Sequence, residues 1–179
     1  MNSHSFLCAI LLTAVSAFCQ PSDVDGWNKV KWGMTIAEAK AAYGADVEDS
    51  QIVPGPNFVE IDRLTIKAVE IGSIRATASI QTKRNSDKVN SVVVNVAEVR
   101  EDPGVRADRF DTVRTLLIQK YGTPKNEDRK PDGDNLRTNV VWTFPSTSIT
   151  LLWVEGRRYR HGYVTITYEA VDERSLDVL

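Results

Sequence analysis

The most concentrated chemistry of the sequence lies in one short segment near its carboxyl end. Between Glu155 and Gly162 the chain carries three guanidinium groups, a phenol and an imidazole, on Arg157, Arg158, Tyr159, Arg160 and His161. Guanidinium groups hold phosphate and carboxylate oxygens through paired hydrogen bonds. The segment is predicted to be a hairpin tip that could grip an anionic lipid, a cell-wall polymer or an acidic protein surface. The alternative is a solvated loop whose charges only keep the hairpin soluble.

The tryptophans form a second group that could bind a ligand, since indole rings stack on sugars and are enriched at interfaces. Trp142 shares a predicted strand face with Val140 and Phe144, and Trp153 shares one with Ile149 and Leu151, so we expect both in the core. Trp27 differs because it precedes the regular structure. We therefore predict that Trp27 is partly exposed and contacts a partner.

No set of residues predicts catalysis, a cofactor or a metal site. His161 is the only histidine after His4, and the chain has no Gly-x-Ser-x-Gly nucleophile elbow. Residues 132–135 (DGDN), close to Glu127 and Asp128, offer oxygen ligands. Their spacing departs from that of a calcium-binding loop, so a solvated turn is predicted there. The chain is expected to be neither an enzyme nor a cofactor-binding protein.

The first residues predict export from the cytoplasm. Residues 6–18 form an uncharged, mostly apolar run that is too short to span a bilayer but typical of a signal peptide. Cleavage is expected between Ala17 and Cys19, which makes residues 1–19 the signal peptide and the protein periplasmic or secreted. Lipid anchoring at Cys19 is the alternative, but the residues before Cys19 do not form a proper lipobox.

Composition limits what the mature chain, residues 20–179, can be. Its length suits a single domain with one hydrophobic core, and no transmembrane span is predicted in it. Cys8 lies in the signal peptide and Cys19 at the cleavage point, so no internal disulfide is expected. A formal net charge of −2 argues against a nucleic-acid partner, which requires a basic surface.

Capping residues and periodicity predict the elements. Thr35 and Glu38 form a capping box for a helix that ends at Gly44. Apolar residues at helical spacing predict a second helix that ends at Gly122. Alternation predicts a hairpin over residues 74–97 and strands over 138–144, 147–154 and 163–170, with weaker candidates at 58–61 and 64–71.

Together these elements predict a two-layer α+β domain. Its antiparallel sheet has about six to seven strands, and two helices pack on one face. A helix followed by strands occurs twice, which indicates a tandem repeat of residues 27–100 and 105–171. The other face of the sheet is expected to be broad and polar, lined by Thr, Arg, Gln, Ser and Asn side chains.

Some of these signals are shared with known proteins. Residues 32–35 (WGMT), Glu38, Tyr43-Gly44 and residues 119–124 (QKYGTP) resemble a group of uncharacterised secreted bacterial proteins. The layout also resembles the β-lactamase-inhibitor protein fold, and the helix entry is similar to the small outer-membrane lipoproteins SmpA and OmlA. These resemblances imply a fold and carry no catalytic residues.

The sequence therefore favours an exported, non-enzymatic protein-interaction module of the bacterial envelope, with another envelope or extracellular protein as its partner. A small-ligand or anion-binding domain that uses the arginine-rich tip is the alternative.

Processing can be checked by intact mass. The protein secreted by a bacterial host should begin at Phe18 or Gln20, because small residues occupy the positions that signal peptidase reads in front of both. A mass that retains Met1 would contradict export by cleavage. A mass that includes diacylglycerol would establish the lipoprotein alternative.

Overall fold

A computed structural model of the chain describes residues 22–50, 59–97, 102–156 and 162–171. The predicted signal peptide, both cysteines and the arginine-rich tip lie outside these residues. Export, the absence of a disulfide and the anion-binding tip therefore stay predictions.

The first helix, α1 (Ile36–Tyr43), begins as its capping residues predict. The Thr35 hydroxyl accepts a hydrogen bond from the Glu38 amide at 3.2 Å, and the Glu38 carboxylate accepts one from the Thr35 amide at 2.7 Å. Both bonds satisfy amides that have no partner within the helix. Gly44, with φ 60°, ends the helix and opens a 3₁₀ turn (Gly44–Asp46).

The second helix, α2 (Pro103–Tyr121), begins after Asp102, whose carboxylate accepts a hydrogen bond from the Gly104 amide at 2.8 Å. Its buried residues recur every three or four positions, as one face of a helix requires: Arg106, Phe110, Val113, Leu117 and Tyr121. In the part of the chain that the structure describes, no helix combines the length and apolar character needed to cross a bilayer.

The strands form one large sheet and one small hairpin. The hairpin pairs β1 (Gly26–Trp27) with β2 (Val30–Lys31). The large sheet has eight strands, all antiparallel to their neighbours, in the order β3-β4-β5-β6-β10-β9-β8-β7. Their bounds are β3 (Val47–Asp49), β4 (Glu60–Ile71), β5 (Ile74–Lys83), β6 (Val89–Ala97), β7 (Asn126–Asp132), β8 (Asn135–Thr143), β9 (Thr147–Gly156) and β10 (Gly162–Ala170).

An antiparallel sheet with two helices is confirmed, but the expected count of six to seven strands is too low. The candidates at 58–61 and 64–71 are one strand, β4, whose register shifts between Asp62 and Leu64 and between Ile66 and Val69. These bulges break the alternation that would have joined the two segments. The edge strands β3 and β7 were not predicted, because β3 is short and β7 carries charges and Pro131.

The hydrophobic core draws on both helices and on alternate positions of the strands. Facing positions of β5, β6, β10 and β9 contribute Ile80, Val92, Tyr168 and Ile149, each at most 5% exposed. The ring centroids of Phe110 on α2 and Trp153 on β9 are 5.2 Å apart. The predicted core position of Trp142 is therefore confirmed, since this residue is only 2% exposed, and Trp153 is partly buried and packs against the core.

The amino-terminal segment is tied to the sheet through Thr147, which is completely buried. Its hydroxyl accepts a hydrogen bond from the Trp32 indole at 2.6 Å and donates one to the Val24 carbonyl oxygen. Asp23 adds a second tie, because its carboxylate accepts hydrogen bonds from the amide and hydroxyl of Ser146. These bonds fix the β1–β2 hairpin over β10.

Gly162 is one position where the fold leaves no room for a side chain. A Cβ atom there would lie 2.5 Å from the Val154 carbonyl oxygen and 3.1 Å from Nε of Arg106, which is 2% exposed. Since backbone and a buried side chain would both have to shift, Gly162→Ala should lower the free energy of unfolding by about 1–3 kcal/mol in denaturant titration.

Gly104→Ala is the matched control, because its Cβ would meet a side-chain oxygen and no backbone, the Asp102 carboxylate at 3.1 Å. Alanine in the first turn of α2 should leave stability unchanged or raise it by up to about 1 kcal/mol. Equal stability of Gly162→Ala and Gly104→Ala would contradict the claim that close packing around Gly162 excludes a side chain.

Candidate functional site

Of the residues predicted to contact a partner or an anion, Trp27 lies within the part of the chain that the structure describes, whereas Arg157 to His161 lie outside it. Trp27 is half-buried in β1, and its ring centroid is 6.1 Å from that of Tyr168 on β10. The turn after it contains Asn28 with φ 54°, a conformation that asparagine tolerates better than most residues. Trp27 thus sits on an ordered hairpin.

Trp27 lines a cleft of about 750 Å³ between the β1–β2 hairpin and α2. The floor is formed by β10 and by the end of β4, and one wall by the last turns of α2. We call it the aromatic cleft, because its apolar lining includes three aromatic rings: Val24, Trp27, Val69, Ile71, Leu116, Leu117, Tyr121, Ile166 and Tyr168. Its volume is in the range of small-molecule sites.

The charged side chains that line the aromatic cleft are mostly carboxylates. Asp23, Asp25 and Glu70 carry negative charge, whereas Lys120 is the one cation among the residues that line it. The hydrogen bonds from Ser146 hold the pKa of Asp23 below its ordinary value. Asp25 also pairs with Lys31 at 2.9 Å, in a bridge whose two side chains are exposed. The cleft is therefore acidic at its rim and aromatic inside.

The phenol of Tyr168 lies at the centre of the aromatic group. Desolvation by burial raises the pKa of Tyr168 well above its ordinary value, and the Tyr121 phenol raises it further. A hydrogen bond with the Trp27 side chain opposes that rise. The rings of Trp27, Tyr121 and Tyr168 thus form one cluster. The ring centroids of Tyr121 and Tyr168 are 6.5 Å apart.

A smaller cavity of about 260 Å³ adjoins this region, since Asn28, Val69 and Glu70 line both. Lys29 and Tyr43 lie in it, with the ammonium 5.1 Å from the ring centroid. Burial raises the pKa of Tyr43, and the Lys29 backbone partly offsets that rise. The Lys29 ammonium therefore occupies the face of the Tyr43 ring.

The other side of the sheet carries the alternate strand positions, and we call it the open face. One row of directly paired residues crosses five strands: Ser79, Val93, Thr167, Thr150 and Val141. A second row runs parallel to it through Thr77, Asn95, Thr165, Leu152 and Asn139. Val93, Val141 and Leu152 do not belong to the hydrophobic core formed by the described residues.

Charges lie toward the ends of the open face. At one end Ser91 donates to Gln81 at 2.8 Å, and Gln81 donates to Asp62 at 2.7 Å. Nearby, burial and the charge of Glu60 raise the pKa of Glu169, which Lys83 partly opposes. Neither the aromatic cleft nor the smaller cavity is lined by Glu60 or Glu169.

The acidic turn predicted at residues 132–135 joins β7 to β8, with Asp132 opposite Asn135 and Gly133 at φ 57°. Within residues 22–50, 59–97, 102–156 and 162–171, no group of three or more His, Cys, Asp or Glu side chains could hold a metal ion. The prediction of a turn is confirmed.

Comparison of the chain with protein-family models, with curated proteins and with solved structures finds no match. The resemblance to the β-lactamase-inhibitor protein fold and to the secreted bacterial group therefore stays a prediction.

Sequence reasoning did not predict the aromatic cleft. Tyr121 follows the helical spacing of α2, and Tyr168 alternates with polar residues of β10, so both have the pattern of core residues. The signal that pointed to the cleft was Trp27, which lies ahead of the longer predicted elements.

The raised pKa of Tyr168 predicts a loss of stability in alkali. The folded chain keeps this phenol neutral, whereas the unfolded chain ionises it above about pH 10. The free energy of unfolding should therefore fall as pH rises beyond that value, by up to about 1.4 kcal/mol per pH unit for this one proton. Denaturant titrations of Tyr168→Phe should show a shallower fall than the parent.

Phe144→Leu is the control, because Phe144 packs on Tyr121 with centroids 5.6 Å apart and carries no ionisable group. It should lower stability at every pH without changing the slope. If the free energy of unfolding falls with pH equally steeply in the parent and in Tyr168→Phe, the raised pKa of Tyr168 is refuted.

Proposed function

We propose that the chain is an exported, non-enzymatic protein-interaction module whose open face docks a folded protein of the bacterial envelope or exterior. The observation that carries the proposal is the division of the sheet: one side contributes its alternate residues to the core, and Val93, Val141 and Leu152 on the other side stay out of it. A two-layer domain of residues 20–179 with both helices on one side leaves such a face for a partner.

The chemistry of the open face supports a neutral, polar contact. Its two rows are hydroxyl and amide side chains with three interspersed aliphatic residues. Interfaces between separately folded proteins have this mixture, with charged residues depleted from the centre. The charged groups Glu169 and Arg137 lie outside these two rows, so docking is expected to depend little on salt.

The pairing of strands also supports a rigid surface. Every open-face residue sits on a strand that is hydrogen-bonded along the sheet, with neighbours on both sides from β4 to β8. A surface that is already ordered loses little conformational entropy when a partner binds. The open face is therefore expected to recognise one partner surface and not to adapt to several.

In the proposed tandem repeat, both halves contribute strands to the open face. Each half is a helix followed by four consecutive strands, α1 with β3 to β6 and α2 with β7 to β10. Each helix ends at a Tyr-Gly pair, and β6 pairs with β10 where the halves meet. The open face is accordingly one surface built from both halves, and a partner centred on it contacts both.

The alternative use of the arginine-rich tip stays a prediction. The segment connects β9 to β10 in the sequence and lies outside the described residues. Binding through three guanidinium groups would weaken steeply with salt. Salt dependence therefore separates the two functions.

The test uses a photo-crosslinking amino acid at single positions of the exported protein in living cells. Thr150 and Thr167 report on the centre of the open face, and Thr115, exposed on α2, is the matched control. Adducts of one discrete mass are expected from positions 150 and 167 and not from 115. Thr150→Arg should abolish the adduct at 167 while the melting temperature stays within a few degrees of the parent.

Equal adducts at all three positions, or none at 150 and 167, would refute docking on the open face. An adduct that disappears on raising salt and on replacing Arg157, Arg158 and Arg160 by serine would instead support the anion-binding alternative.

A further inference from the structure

The aromatic cleft lies on the helix side of the sheet, so the proposed docking on the open face leaves it unused. It is enclosed by four separate elements: the β1–β2 hairpin, the end of β4, the last turns of α2, and β10. The hairpin is held in place by the buried Thr147 and by Asp23. The cleft is thus formed by fixed elements of the fold.

The lining combines aromatic rings with an excess of negative charge. Trp27, Tyr121 and Tyr168 supply the rings, and the lining carries three carboxylates and one ammonium, with Asp25 also paired to Lys31 at 2.9 Å. The negative faces of aromatic rings attract cations, with tryptophan the strongest, and nearby carboxylates add to that attraction. An anionic ligand would meet repulsion from both.

The protein already places one of its own cations at this cleft. The Lys120 ammonium lies 5.0 Å from the ring centroid of Tyr121, on the wall formed by α2. The rings of Trp27 and Tyr168, inclined at 46° to each other, line the same cavity, and neither has a cation over it among the contacts of the described residues. They offer positions of the same kind to a cation from outside.

We infer that the aromatic cleft binds an organic cation with an apolar body, such as a primary amine or a quaternary ammonium group carried on an aliphatic or aromatic frame. The cationic group lies against Trp27 and Tyr168 near Asp25 and Glu70, and the apolar body packs on Leu116, Val69 and Ile71. The volume of about 750 Å³ suits a molecule of that size.

Benzyltrimethylammonium is the probe, with benzyl alcohol and 3-phenylpropionate as neutral and anionic counterparts. The protein is labelled with 5-fluorotryptophan, and the ¹⁹F resonance of Trp27 is assigned by its loss in Trp27→Phe. Titration should shift the Trp27 resonance with the cation and leave it in place with the other two probes. Because fluorine weakens the ring's attraction for cations, unlabelled protein should bind the cation more tightly by calorimetry.

Charge variants give effects of opposite sign. Glu70→Gln and Asp25→Asn should each weaken the cation about two- to fivefold, and Lys120→Gln should strengthen it by a similar factor. Glu48→Gln is the matched control, because Glu48 pairs with Lys67 at the edge of the sheet that β3 forms and does not line the cleft. It should leave affinity unchanged.

Three results would overturn the inference: no binding of the cation at millimolar concentration, equal binding of the neutral or anionic probe, or the same response of all four charge variants. A shift of a tryptophan other than Trp27 would place the cation elsewhere and would also overturn it. The side chains replaced in the four charge variants are all exposed, so none of these substitutions is expected to unfold the protein.

Discussion

The pairing of β6 with β10 is the constraint on which the rest of the structure depends. It sets Val92 opposite Tyr168 and Val94 opposite Ile166, so the apolar residues of both halves point to the same side. A slip of one residue would turn every side chain of one half to the other side. With this register, α1 and α2 contribute to a single core, and Arg109 on α2 reinforces it by donating to the Val96 carbonyl oxygen at 2.7 Å.

The two sides of the sheet consequently have different chemistry. The open face presents short neutral side chains, while the helix side holds aromatic rings beneath an acidic rim. The cleft lies between the hairpin, the last turns of α2, the end of β4 and β10. A protein partner and a small cation would therefore occupy opposite sides of the sheet, and the proposals stand independently of each other.

Local signals were enough to predict the parts of the fold that local chemistry determines. The capping box of α1, the stop at Gly122 and the hairpin of β5 and β6 all rest on neighbouring residues. β7 escaped prediction because it is composed of polar and charged residues and Pro131, which leave no apolar alternation. The aromatic cleft escaped it because its lining comes from distant segments, and periodicity cannot show that a gap stays unfilled between them.

Cysteine accessibility along β10 tests the central claim, that one side of the sheet is covered and the other open, most directly. Single cysteines at 164, 165, 166 and 167, in a chain with Cys19 replaced by serine, would be labelled with a thiol reagent under native conditions. Rapid labelling is expected at 165 and 167 and slow labelling at 164 and 166, because Val164 and Ile166 are at most 1% exposed. Equal rates at all four positions, or protection of 165 and 167 instead, would contradict it.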